Sequence, residues 1–162
     1  MSTVEQQVDL TAEERAAIVS LAQNHETKRS ACIEALKYVQ KHYRWVSDHH
    51  LGEIAELLEM SRAELDGVAT FYNLIFRRPV GEHIIFLCDS ISCWIMGRDA
   101  VCAHFQRRLG IKPGETTADG MYTLLPIVCL GHCDHAPAML LDDTLHGDVD
   151  IVQIDKWLGI QT

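Results

Sequence analysis

The sequence predicts an α/β protein: an N-terminal helical bundle over residues 10–78, then a small α/β sandwich over residues 79–162. Three observations carry this. Apolar residues recur at helical spacing through the first part. The break Arg77-Arg78-Pro79-Val80-Gly81 ends that pattern, because Pro and Gly cannot continue it. Beyond the break, short β-rich runs alternate with helical stretches.

The helices follow in order. Thr11 with Glu14 forms a capping box, and Ala17, Ile18 and Leu21 make an apolar stripe behind it. Cys32, Leu36, Val39 and Tyr43 lie at i, i+4, i+7 and i+11, one face of a second helix. Ser47 caps a third helix carrying Leu51, Ile54, Ala55 and Leu58. Ser61 with Glu64 is a second capping box, opening a fourth helix with Leu65, Val68, Ala69 and Tyr72.

In the second part, His83–Cys88 is a nearly continuous apolar run, as expected of a strand buried on both faces. Gly97 to Leu109 reads as a helix on Ala100, Val101, Phe105 and Leu109, closed by Gly110. Asp119-Gly120 is a turn before the strand Met121 to Val128, where Pro126 marks an edge, a bulge or a local weakness. Ala138 to Leu141 and Thr144 to His146 form a hairpin around Asp142-Asp143. Asp148 is read as the cap of a last helix with Ile151, Val152, Ile154 and Leu158. The order is β-α-β-β-β-α.

Bulk properties exclude several classes. Net charge is −9, from 14 Lys+Arg against 23 Asp+Glu, and a phosphate backbone would repel such a surface, so nucleic acid is not an expected ligand. No apolar run approaches the length of a membrane span, so direct membrane insertion is not expected. Met1 to Asp9 is polar, with no basic or apolar leader segment, and the chain is read as cytosolic. In that reducing setting six cysteines point to metal or redox work rather than disulfides.

Four of the six fall in two short loops. Cys88-Asp-Ser-Ile-Ser-Cys93 is a C-x4-C pair, and Cys129-Leu-Gly-His-Cys133 is a C-x3-C pair. Both follow strands, so their loops can converge at one edge of a sheet. A 2Fe–2S cluster takes two terminal thiolates on each iron, which two paired loops supply. With four thiolates the oxidised group is a dianion, and reduction makes it a trianion. Such charge needs donors: Gly131 and Gly97 let backbone approach sulfur, and Ser90 and Ser92 offer hydroxyls. Asp89 and Asp134 beside the thiols act the other way, and a low reduction potential is expected. Zinc favours closer C-x2-C knuckles but tolerates looser spacing. A thioredoxin-type catalyst needs C-x-x-C, which is absent. On spacing alone the cluster is favoured, with zinc and four unrelated core cysteines as alternatives.

Two longer stretches carry a resemblance. Gly67-Val-Ala-Thr-Phe-Tyr-Asn-Leu-Ile-Phe-Arg-Arg-Pro-Val-Gly81, followed by C-x4-C and then Leu125-Pro-Ile-Val-Cys-Leu-Gly-His-Cys133-Asp, is similar to the E subunits of bacterial NADH:quinone oxidoreductase, respiratory complex I. It covers about Leu10 to Leu158. The resemblance implies a thioredoxin-like ferredoxin domain behind a helical bundle, with one 2Fe–2S cluster on Cys88, Cys93, Cys129 and Cys133. It implies an electron-carrying subunit without catalytic residues of its own, beside the flavin- and NADH-binding subunit and the large iron–sulfur subunit. It would lie in the peripheral arm, on the cytoplasmic side of the inner membrane. The cluster would lie near the flavin and hold an electron while the flavin is re-oxidised. The equivalent subunit of an NAD-linked hydrogenase or formate dehydrogenase, a free thioredoxin-like ferredoxin, and a zinc-stabilised module are the alternatives.

The remaining residues have plainer readings. Cys32 and Cys102 are helix-face residues and are expected in the core. His132 and His135 either gain charge near the cluster or are solvated loop residues. Trp94 is read as packing over the cluster, with partner contact as the alternative. His49 and His50 are read as surface residues at a helix start. Phe71, Tyr72 and Phe76 are read as core and inter-subunit contacts. Pro137 stands where thioredoxin-like folds carry a cis proline. No G-x-G-x-x-G is present, so NADH is not expected to bind this chain.

Overall fold

The computed structural model describes residues 8–159, so residues 160–162 of the expected second part lie outside it. The chain forms two compact units, one ending at Pro79 and the other beginning at Val80.

The first unit is helical: α1 (Ala12–Gln23), a 3-10 turn (Lys28–Ala31), α2 (Cys32–Tyr43), α3 (Asp48–Leu57) and α4 (Arg62–Phe71). Both expected capping boxes form, at Thr11/Glu14 and Ser61/Glu64, and the Ser47 hydroxyl accepts the His50 N–H at 3.1 Å. Ile18, Leu36, Val39, Ile54, Leu58 and Leu65 are fully buried in one core. Each such side chain contributes roughly 1.5–3 kcal/mol relative to exposure.

The buried stripe of α1 is centred on Glu14, Ile18 and Ala22 rather than on Ala17, Ile18 and Leu21. The helix has turned to bring a carboxylate inside, where the Thr11 N–H (2.8 Å) and the Tyr43 hydroxyl (2.9 Å) donate to it. Burial raises the Glu14 pKa, but those donors outweigh it and hold it below the usual carboxylate value. His50 is also buried, against expectation, and its Nε2–H donates to the Val8 carbonyl at 2.8 Å. Phe71 and Tyr72 are not core: Phe71 is 78% exposed, and the two rings meet edge to face at the surface.

The second unit contains β1 (His83–Cys88), α5 (Ile91–Ile95), α6 (Arg98–Leu109), β2 (Tyr122–Ile127), a 3-10 turn (Cys133–His135), β3 (Met139–Leu141), β4 (Thr144–His146) and α7 (Ile151–Trp157). The sheet order is β2-β1-β3-β4. β1 and β2 are parallel, and the other pairs are antiparallel. A parallel neighbour requires a crossover, and α5 with α6 supplies it. Pro126 is accommodated because β2 is an edge strand of this sheet. Asp142 makes the hairpin turn in a left-handed conformation and extends the ladder, its N–H donating to the Ile84 carbonyl at 2.8 Å.

Ile85 and Leu87 of β1, Val101 and Phe105 of α6, Leu124, Met139 and Ile154 of α7 make one core. Cys102 lies in it, as expected. Cys32 is only half-buried, packed against the bundle core. The last helix differs from expectation: Asp150, not Asp148, is its cap, in a box with Gln153. Asp148 is instead held in a left-handed conformation, turned towards His135. The helix α5 was not expected at all; the run Ile91, Trp94, Ile95 at helical spacing was its only signal.

A polar lock ties α6 to α7. The His104 Nε2–H donates to Asp155 at 2.8 Å, and Arg108 grips the same carboxylate with two nitrogens at 2.8 and 2.7 Å. Arg108 first, then His104, pulls the Asp155 pKa below the carboxylate norm. A carboxylate with a depressed folded-state pKa stabilises above its unfolded pKa and loses that contribution as pH falls through the folded one. Asp155→Asn is therefore expected to lower the melting temperature at neutral pH. The gap from wild type should close as pH falls below the ordinary aspartate range; calorimetry across pH checks this. Phe105→Ala, at a fully buried site, is expected to cost about 3–5 kcal/mol in denaturant unfolding.

Candidate metal centre

The parallel pairing sets Cys88 opposite Ile127, so the chains leaving β1 and β2 emerge side by side. The Asp89 N–H donates to the Ile127 carbonyl at 2.7 Å and closes the joint between them. From this edge the first loop runs through α5, which carries Cys93, and the second runs from Cys129 to the 3-10 turn opened by Cys133. All four sequence-predicted cysteines come together at this edge, and Cys32 and Cys102 do not.

The two pairs differ in surroundings. Cys88 and Cys93 are buried against Leu130, Ala136 and Ala138, while Cys129 and Cys133 are exposed, with their sulfurs 3.4 Å apart. The second loop thus roofs the thiols of the first. The Cys88 N–H donates to the Ala138 carbonyl at 3.1 Å. The Ala138 N–H in turn donates to the Cys93 sulfur. The Ala136–Pro137 peptide beside it is cis, as the sequence had suggested.

Donors reach the exposed sulfurs too. The Gly131 N–H donates to Cys129 Sγ at 3.4 Å, and Gly131 has φ of 77°, a conformation that favours glycine. The hydroxyls of Ser90 and Ser92, from the first loop, donate to Cys129 and Cys133 of the second. Ser90 precedes α5 but does not cap it, so its hydroxyl is available. Gly97 does not serve sulfur: its N–H goes to the Trp94 carbonyl at 3.2 Å.

The thiols titrate accordingly. The Gly131 N–H, then the Cys133 thiol and the serine, lower the Cys129 pKa. Its neighbour Cys133 is raised, because Cys129 ionises first beside it. Burial pushes Cys93 up. Donors aimed at three of the four clustered sulfurs suit an anionic metal–thiolate group, and the residues present fit a 2Fe–2S cluster.

The whole pattern, cysteine loops on a sheet edge behind a helical segment, matches one family model, thioredoxin-like [2Fe-2S] ferredoxin, over residues 18–159. The chain belongs to that family. It is 51% identical over 140 residues to the E subunit of the NADH-quinone oxidoreductase of Pseudomonas aeruginosa, spanning 86% of this chain and 84% of the relative. It is 48% identical over 138 residues to the corresponding Escherichia coli protein, spanning 85% and 83%. Among solved structures it resembles an NAD+-reducing [NiFe]-hydrogenase in the air-oxidised state, with a TM-score of 0.69 and 25% identity. That match covers 80% of this chain but only 22% of the hydrogenase chain.

Several features of this ferredoxin were not read from its sequence. Trp94 does not seal the site: it is 58% exposed, and its indole N–H donates to Asp99 at 3.1 Å. His132 and His135 are not free loop residues. Their rings stack at 4.7 Å, and His135 Nδ1 is 2.7 Å from Asp148, which raises the His135 pKa. The Asp148 N–H returns a bond to the His135 carbonyl at 2.7 Å. Away from the cysteines, Asp9, His49 and Glu53 also gather their ligand atoms within 4.8 Å of one another. Glu53 there is already taken by Arg15 and the Leu10 N–H, so this group reads as an anchor for the segment before α1.

Gly147 makes room for the second loop. A methyl group added to it would lie 2.5 Å from His135 Cβ and 2.6 Å from His132 Nε2. Gly147→Ala is expected to cost about 1–3 kcal/mol in denaturant unfolding, because the histidine stack must shift. A fall below a few tenths of a kcal/mol would show that the stack yields freely.

Proposed function

We propose that this chain is the electron-carrying E subunit of an NADH–quinone oxidoreductase, holding one 2Fe–2S cluster on Cys88, Cys93, Cys129 and Cys133. The observation that carries the ligand set is the parallel β1–β2 joint, which delivers two thiols from each of two loops to one edge. When bound, the group accepts and returns one electron. The chain's own residues hold it: buried Cys88 and Cys93 fix one side, and N–H and O–H donors temper the negative charge of the other. Catalytic residues are not part of this reading.

The loop pairing favours two irons over one zinc. Each iron of a binuclear cluster takes two terminal thiolates, which a C-x4-C and a C-x3-C loop supply in pairs, whereas zinc sites favour closer C-x2-C knuckles.

Identity to the two bacterial relatives over more than four-fifths of both chains supports assignment to the quinone-linked complex. The hydrogenase likeness is lower and spans about a fifth of that chain, so an NAD-linked hydrogenase subunit is the second reading. The partner in the first reading is the flavin- and NADH-binding subunit, with the large iron–sulfur subunit nearby. The setting is the peripheral arm on the cytoplasmic face of the membrane. The surface beside the thiols supports a docked partner: Ile91, Trp94, Ile95, Met96 and Val128 are all exposed there. No helix among the described residues is long and apolar enough to cross a membrane.

Anaerobic purification tests the ligand set. A red-brown protein with a single binuclear paramagnetic signal after dithionite is expected. Cys93→Ser should lose or alter the signal, whereas Cys102→Ser should keep it. A colourless protein with stoichiometric zinc, or loss of the cluster from Cys102→Ser, would overturn the assignment. Co-purification with quinone-reductase rather than hydrogenase subunits decides the complex.

A further inference from the structure

A chain of polar contacts brackets the first cysteine loop. Arg98 opens α6, and its side chain is only 16% exposed. One terminal nitrogen lies 3.4 Å from Asp89 and the other 3.1 Å from Asp99. Asp89 directly follows Cys88, and Asp99 accepts the indole N–H of Trp94, which directly follows Cys93. The contacts therefore end one residue beyond each thiol-bearing residue of the loop. A third donor, Arg98 Nε, is buried with no acceptor in the protein among the described residues.

We propose that Arg98 is the positioning and charge-setting residue of this loop, holding it through Asp89 and Asp99 and offsetting the Asp89 carboxylate beside the bound cluster. The proposal rests on the ligand assignment above. The physical case is electrostatic. The potential of an iron–sulfur group follows its net charge and its hydrogen bonds. An unpaired carboxylate next to Cys88 disfavours an added electron; one facing a guanidinium disfavours it much less. Asp89 is 58% exposed, so water screens it in part, whereas Arg98 is largely withdrawn from water and its field is screened less. Arginine is required because a single guanidinium fork spans two acids, which the point charge of lysine does not.

The test is a redox titration of the full-length protein with its cluster, followed by paramagnetic resonance. Wild type comes first: if it binds no cluster, the ligand assignment fails, a result distinct from failure of this proposal. With the cluster present, Arg98→Gln is expected to titrate at a lower potential than wild type and Asp89→Asn at a higher one. The double variant should return close to wild type, and Arg98→Lys should fall between Arg98→Gln and wild type. Wild-type potentials in both single variants, with the signal intact, would overturn the proposal. Should Arg98→Gln fail to retain its cluster, Arg98→Lys decides: a potential below wild type supports the proposal, and an unshifted potential overturns it.

Discussion

The hydrogen bonds between β1 and β2 run in parallel register, His83 against Tyr122 through to Cys88 against Ile127, and the cysteine site depends on that register. In a parallel pair both strands end at the same side, so the loops after Cys88 and Ile127 start as neighbours. An antiparallel pair would have sent them to opposite sides of the sheet. The bond from the Asp89 N–H to the Ile127 carbonyl carries the pairing one residue past β1. A slip of one residue would place Cys88 on the other face, away from Leu130 and Ala136. The apolar residues that hold the register, Ile85, Leu87 and Leu124, belong to the core under α6 and α7, so packing remote from the thiols positions them.

The same joint explains the asymmetry of the thiols. β1 has a strand on each side, and a residue at its end is covered by both. β2 is at the edge, and Val128 and Cys129 beyond it face water. The buried pair is held by backbone, through Ala138, and the exposed pair is served by the Gly131 N–H and by serine hydroxyls from the opposite loop. The serines of the first loop act on sulfurs of the second, while the second loop roofs the thiols of the first. Neither loop is complete without the other.

What was legible in the sequence follows from the range of each interaction. Capping boxes at Thr11 and Ser61, the turn at Asp142 and the closing Gly110 are local and could be read from spacing. The two cysteine pairs were legible because each is short and follows a strand. What escaped depends on distant partners. Glu14 is polar and was left off the buried stripe, yet Tyr43, 29 residues away, draws it inside. Asp148 looked like a helix cap, since Asp at such a position usually is one. His135 takes its carboxylate instead, and Asp150 caps α7. Trp94, next to the proposed ligand Cys93, reads as a cover for the cluster, yet Asp99 holds its indole at the surface.

The second unit also carries a His–Asp pair, and its geometry shows why such a pair need not imply catalysis. His104 Nε2 is committed to Asp155 at 2.8 Å, and Nδ1 faces an Arg107 nitrogen at 3.2 Å. A general base needs one ring nitrogen open to a substrate proton, and here Arg107, itself a donor, occupies the accepting one. Arg108 donates to both oxygens of the same carboxylate, so Asp155 is shared between the two side chains. The pair is buried between α6 and α7, where it orients the helices that support Ile85 and Leu87. Its committed hydrogen bonds suit a scaffold for the sheet whose edge carries the sulfurs.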